Sequence, residues 1–193
     1  MVKKILLVAG VIILIIAVWL FVTKEHDVIN PIYATGDLDD DGLVEEYILD
    51  NHCLIVREND QIIWQSPKDW SIDSFVLGDA DNDKTVNLVI SLWKKGSFGQ
   101  IKPFWFQGED KSYKNHLFVL KLTDNTFRPL WFSSDLDRPI VSFAIIDVDS
   151  ESLNELVVEQ GKYRKIWGER YALDTKAPLE TVIWQWQEWG FGR

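Results

Sequence analysis

Short apolar runs recur along the chain after residue 30, each in the same setting. Tyr47, Ile48 and Leu49, then Leu88, Val89 and Ile90, then Leu156, Val157 and Val158 each follow an acidic segment. Tyr33, Phe75 and Phe143 each stand four residues before the first Asp of that segment. Runs this short, rich in β-branched and aromatic residues, predict strands. A second landmark repeats behind them: IIWQS at Trp64, PLWFSS at Trp131 and VIWQW at Trp184. The pattern predicts a unit of strand, acidic loop, strand, further strand and Trp-bearing strand. It occurs three times, over about residues 30–67, 71–133 and 140–193. Trp184 and Trp186 alternate as core residues of a last strand would. The expected fold class is all-β, an array of about three four-stranded antiparallel sheets.

The N-terminus follows a different pattern. Ile5 to Val22 is an unbroken apolar run of 18 residues, about 27 Å as a helix and long enough to cross a bilayer. Lys3 and Lys4 precede it, which holds the N-terminus inside and sends the remainder out. WLFVTKEHD carries no small-x-small cleavage site, and no cysteine lies nearby for lipidation. The expectation is a cytoplasmic tail over 1–4, an uncleaved transmembrane anchor over 5–23, a tether over 24–29 and an extracytoplasmic domain over 30–193. The membrane is thus the first expected partner, and the localisation is single-pass in the cell membrane.

The acidic segments carry the chemistry. DLDDDGLVE places Asp37, Asp39, Asp41 and Glu45 on one tight loop with Gly42 at the bend. Alternate acids on a curled loop converge on a point, and a hard divalent cation such as Ca2+ takes six to eight oxygens there. DADNDKTVN supplies Asp79, Asp81, Asp83 and Asn87, and DVDSESLNE supplies Asp147, Asp149, Glu151 and Glu155. The second loop has Lys84 where the first has Gly42 and an amide at its ninth position, so it is expected to be weaker or empty. The third keeps its charge but has Ser152 at the bend. The expected order of affinity is first, third, second. An EF-hand would need a bidentate Glu at the twelfth position, where this chain has Ile48, Ile90 and Val158.

With these loops between strands, residues 30–193 resemble the FG-GAP or VCBS repeats, the calcium-loop β-propeller repeats of the integrin α head and of many bacterial surface proteins. The match to D-x-D-x-D-G-x-x-D/E is close at Asp37 to Glu45, moderate at Asp147 to Glu155 and degraded at Asp79 to Asn87. The resemblance implies a propeller-like array and a structural calcium role at those positions, and nothing about ligand. Closed propellers have at least four blades. Three units therefore imply a cap, an open arc, or a ring closed by two chains as a homo-oligomer.

Charge and composition narrow the partners. The net charge of −10 and the absence of a basic stripe exclude nucleic acid. Cys53 is the sole cysteine, so no intrachain disulfide forms; in HCLIVRE it reads as a buried strand residue. The interval from Asp79 to Asp147 exceeds that from Asp37 to Asp79 by about 25 residues, an insertion within the repeat. That insertion, Lys94 to Asn115, combines Lys102, Phe104, Trp105 and Tyr113 into a candidate platform for an envelope glycan or protein. The alternative is that its rings pack over the open end of the core. His26, His52 and His116 are dispersed, and no catalytic signature is present. The chain reads as an extracytoplasmic binding or scaffolding module; the alternative is an enzyme or accessory subunit acting on envelope polysaccharide.

Overall fold

Three meandering sheets carry the chain in a computed structural model, which describes residues 31–97 and 107–192. The apolar segment 5–23, the tether and residues 98–106 of the insertion lie outside those residues. No helix among the described residues is long and apolar enough to cross a membrane.

The first sheet runs β1 (Ile32–Gly36), β2 (Glu45–Asp50), β3 (Cys53–Glu58) and β4 (Gln61–Gln65), in that order. Its hairpins close on Asn51-His52 and Asn59-Asp60, all four at positive φ. That is the backbone two-residue hairpins require, and Asn and Asp tolerate it best after glycine. The second sheet is built on β5 (Ser71–Gly78), β6 (Asn87–Lys95), β7 (Tyr113–Thr123) and β8 (Thr126–Phe132). Asp124-Asn125 makes its last turn in the same way. The third contains β9 (Ile140–Ile146), β10 (Glu155–Gln160), β13 (Glu180–Gln187) and β14 (Gly190–Gly192).

Two strands depart from the repeat. β11 (Tyr163–Trp167) and β12 (Arg170–Leu173) form a hairpin inside the third unit, yet β12 pairs with β7 in parallel at Arg170 and Tyr113. The second sheet therefore has six strands rather than four. The extra pair comes from the third unit, while the described ends of the second-unit insertion extend β6 to Lys95 and start β7 at Tyr113. The hairpin also displaces the Trp-bearing strand. Trp64 and Trp131 sit on fourth strands, whereas Trp184 sits on β13, third in its sheet, with β14 outside it.

Burial explains the stacking order. β6 is buried at every residue but its last, because both of its faces are covered. Leu88, Ile90 and Leu92 pack with Tyr47, Leu49, Leu54 and Val56 of the first sheet. Val89, with Leu117 and Val119 of β7, packs with Leu156, Val158 and Trp184 of the third. A period of two on a doubly covered sheet thus feeds two separate cores. β2, by contrast, alternates buried Glu45, Tyr47 and Leu49 with more exposed Glu46, Ile48 and Asp50. Cys53, expected to be buried, is half-buried at the start of β3 beside Ser66 Oγ.

Candidate metal centre

Each acidic loop joins the first two strands of its sheet, and the three share one backbone. The fourth residues, Asp40, Asn82 and Ser150, have φ of 59°, 62° and 65°, and the sixth, Gly42, Lys84 and Ser152, have φ of 87°, 71° and 67°. Left-handed conformation at the sixth position suits glycine and is strained for the other two.

The first Asp of each loop ties the bend: Asp37, Asp79 and Asp147 accept the N–H of Gly42, Lys84 and Ser152 through Oδ2, each at 3.0 Å. The ninth residue closes the loop from the sheet side. Glu45 Oε2 accepts the Leu38 N–H at 2.9 Å, Asn87 Oδ1 the Ala80 N–H at 2.8 Å, and Glu155 Oε2 the Val148 N–H at 2.9 Å. One oxygen of this side chain is structural, and only the other is free to face a ligand.

What that second atom is differs between loops. Glu45 is fully buried and its Oε1 accepts no hydrogen bond among the described residues; the same holds for Asp39 Oδ1. Asp37, Asp39, Asp41 and Glu45 each offer an oxygen within 4.8 Å of the others. Burial pushes the Glu45 carboxyl above its ordinary range; the Leu38 N–H opposes this, and Asp39 and Asp37 reinforce it. Unbalanced carboxylates around a buried, unpartnered oxygen suit a cation. Tyr47 lies beneath, its hydroxyl 3.3 Å from Glu45 Oε2, and burial followed by the charge of Glu45 drives its pKa far up.

In the second loop Asp79, Asp81 and Asp83 converge, but Asn87 can offer only an amide nitrogen beside its engaged oxygen, and that Nδ2 is buried with no partner among the described residues. An N–H2 repels the ion that a carboxylate oxygen would bind. The cation at this loop is not Lys84, which is exposed. It is Lys121 of β7, whose Nζ lies 2.5 Å from Asp83 Oδ2. Burial disfavours the Asp83 carboxylate, but hydrogen bonds from Lys121 and Thr85 outweigh it and bring its pKa down to about 2. Asp81 moves the other way, raised by burial and by Asp83.

The third loop gathers Asp147, Asp149 and Glu155. Glu151, read from the sequence as a fourth ligand, is not in this cluster; it contributes its N–H to Asp149 Oδ1 at 3.1 Å. The loops also touch other parts of the chain. Asn154 of the third loop donates its N–H to Asn82 Oδ1 at 2.6 Å and its Nδ2 to the Asp79 carbonyl at 3.0 Å. Asp39 Oδ2 accepts the Asn125 N–H from the β7–β8 turn at 3.3 Å. A cavity of about 550 Å³ opens between the first two loops and that turn.

The candidate platform is only partly within the described residues, since Lys102, Phe104 and Trp105 fall outside them. Tyr113 is described, and its ring is taken up by packing: Trp93 stacks on it at 6.1 Å and the Arg170 guanidinium lies over it at 4.2 Å. His116 is fully buried, with Nε2 3.3 Å from Asp135 Oδ1 and Nδ1 3.3 Å from the Ser133 carbonyl. The Ser112 hydroxyl bonds Asp135 Oδ2, and the Asp135 N–H bonds Ser97 Oγ at 3.1 Å. These hydroxyls meet the carboxylate rather than the imidazole, so they do not form a nucleophile and base pair. The group anchors the ends of the insertion to β7. Burial alone would raise the Asp135 carboxyl, but the His116, Ser112 and Ser97 contacts hold it below its ordinary range.

No family model, curated protein or solved structure matches the chain.

Proposed function

We propose that this protein is a membrane-anchored, extracytoplasmic β-repeat module that binds Ca2+ at its acidic loops and serves in binding or scaffolding at the cell envelope. In this reading the three sheets are blades of a propeller-like arc of the FG-GAP or VCBS kind, and the segment 5–23 is the anchor. The observation that carries the calcium assignment is Glu45: a fully buried carboxylate whose Oε2 closes the loop while Oε1, beside Asp37, Asp39 and Asp41, has no hydrogen-bond partner among the described residues. Oxygen-only donors favour a hard cation, and flexible loops of this kind suit Ca2+ over the strictly octahedral Mg2+. The ion would lock the first loop against the β7–β8 turn through Asp39.

Thermal unfolding of the full chain in detergent tests this. Millimolar CaCl2 is expected to raise the melting temperature well above that in EDTA, with MgCl2 giving a smaller rise. Equal melting temperatures in CaCl2 and EDTA would reject the assignment.

A further inference from the structure

A second cavity, of about 470 Å³, lies where the second and third sheets meet, and it shares no residue with the acidic loops. Trp131 of β8, Trp184 of β13 and Phe191 of β14 line it, together with Trp189 from the β13–β14 turn and Asp137 and Arg138 from the β8–β9 connection. Its aromatic wall is fixed in place. The Trp131 ring meets Trp186 and Phe191 edge to face at 6.5 Å and 5.9 Å. Trp131 Nε1 approaches Gly190 so closely that a Cβ there would lie 2.1 Å away.

Two features of this wall are left open by the fold. Trp189 is 70% exposed at the rim, a large flat ring kept in water. Trp184 is only 8% exposed, yet its Nε1–H has no acceptor among the described residues. A buried donor without a partner is destabilising, and a bound acceptor would relieve it. The polar side offers no free positive charge, because Arg138 is paired with Glu180 and Asp137 beside it adds a negative one. In a chain of net charge −10, that gives no purchase for an anionic polymer.

We propose that this cleft binds a neutral pyranose glycan. The C–H face of a sugar ring stacks on Trp189, and a sugar oxygen accepts the Trp184 N–H. Aromatic walls with a few convergent polar groups, and a volume within the roughly 300–1,000 Å³ of small-ligand sites, fit one or two sugar rings. This rests on reading the protein as an envelope binding module; it does not depend on calcium.

The test is calorimetric titration of the full chain in detergent with cello-, chito-, malto- and mannotetraose, followed also by tryptophan fluorescence. At least one tetrasaccharide is expected to bind, and Trp189→Ala should weaken it by about tenfold or more, as loss of a stacking ring does. Trp167→Ala removes another highly exposed indole, on the β11–β12 hairpin, and should change nothing. Both variants should melt with the wild type. Absence of binding by all four sugars, binding insensitive to Trp189→Ala, or binding of a proline-rich decapeptide in their place would overturn the proposal. Run in EDTA and in calcium, binding sensitive to Trp189→Ala in either buffer upholds the cleft whatever calcium does to the melting temperature.

Discussion

Replacing Glu45 with glutamine exchanges one atom of the first loop and separates its two roles. The amide oxygen still accepts the Leu38 N–H that Glu45 Oε2 now holds at 2.9 Å, while an N–H2 replaces the unpartnered Oε1. That reproduces the Asn87 arrangement of the second loop. In EDTA the change removes a buried carboxylate that Asp37 and Asp39 already disfavour, so stability should hold or rise. In calcium the opposite follows. At a hundredfold excess over Kd a site adds about 2.7 kcal/mol, and a hundredfold loss of affinity leaves about 0.4. The difference of about 2.3 kcal/mol corresponds to a fall of roughly 5–9 °C for a domain of this size. Differential scanning calorimetry of both proteins in both buffers reads the sign reversal. Equal losses in EDTA and in calcium would show Glu45 to be a loop closure only, and the reasoning would fail.

Other loop positions give further tests. Asn87→Glu combined with Lys121→Met should convert the second loop into a site, adding one bound calcium per chain by equilibrium dialysis, whereas Lys121→Met alone should not. Ser152→Gly should stabilise by about 0.5–1 kcal/mol in urea titrations, since the φ of 67° is strained for serine. Asp135→Asn should cost about 1–3 kcal/mol at neutral pH by leaving buried partners poorly matched. The Asp135 carboxyl is held below its ordinary value of 3.8, so its contribution is present above that pH and is lost as pH falls through the folded value. The variant's stability should therefore fall less steeply than the wild type's below pH 4.

The acidic loops were legible in the sequence because their signal is local. Alternating oxygens and a bend residue lie within nine positions, and the left-handed φ at Gly42, Lys84 and Ser152 is the conformation that the glycine implied. All-β architecture followed from short apolar runs for the same reason. Contacts across the fold were not legible. Lys121 reaches Asp83 from 38 residues away, and nothing in the spacing marks it. Glu151 alternates correctly with Asp147 and Asp149, but the third loop uses its backbone instead. The β11–β12 hairpin lies inside the third repeat by sequence and joins the second sheet by a single parallel pairing at Arg170 and Tyr113. Trp131 and Trp184 read as the repeated tryptophan of similar strands in separate units, which conceals that they line one cleft. Asn51-His52, Asn59-Asp60 and Asp124-Asn125 carry a turn signal that the repeat pattern passes over, since paired Asn, Asp and His tolerate positive φ at both positions.

A crystal structure grown with millimolar CaCl2 tests the calcium assignment most directly, through the anomalous signal at the loops. Calcium binding at this site predicts a peak in the first loop within about 2.3–2.6 Å of oxygens from Asp37, Asp39, Asp41 and Glu45. The Lys121 ammonium, without a metal peak, is expected at the second loop. A first loop holding only water, with Glu45 Oε1 still unpartnered at saturating calcium, would contradict the calcium assignment.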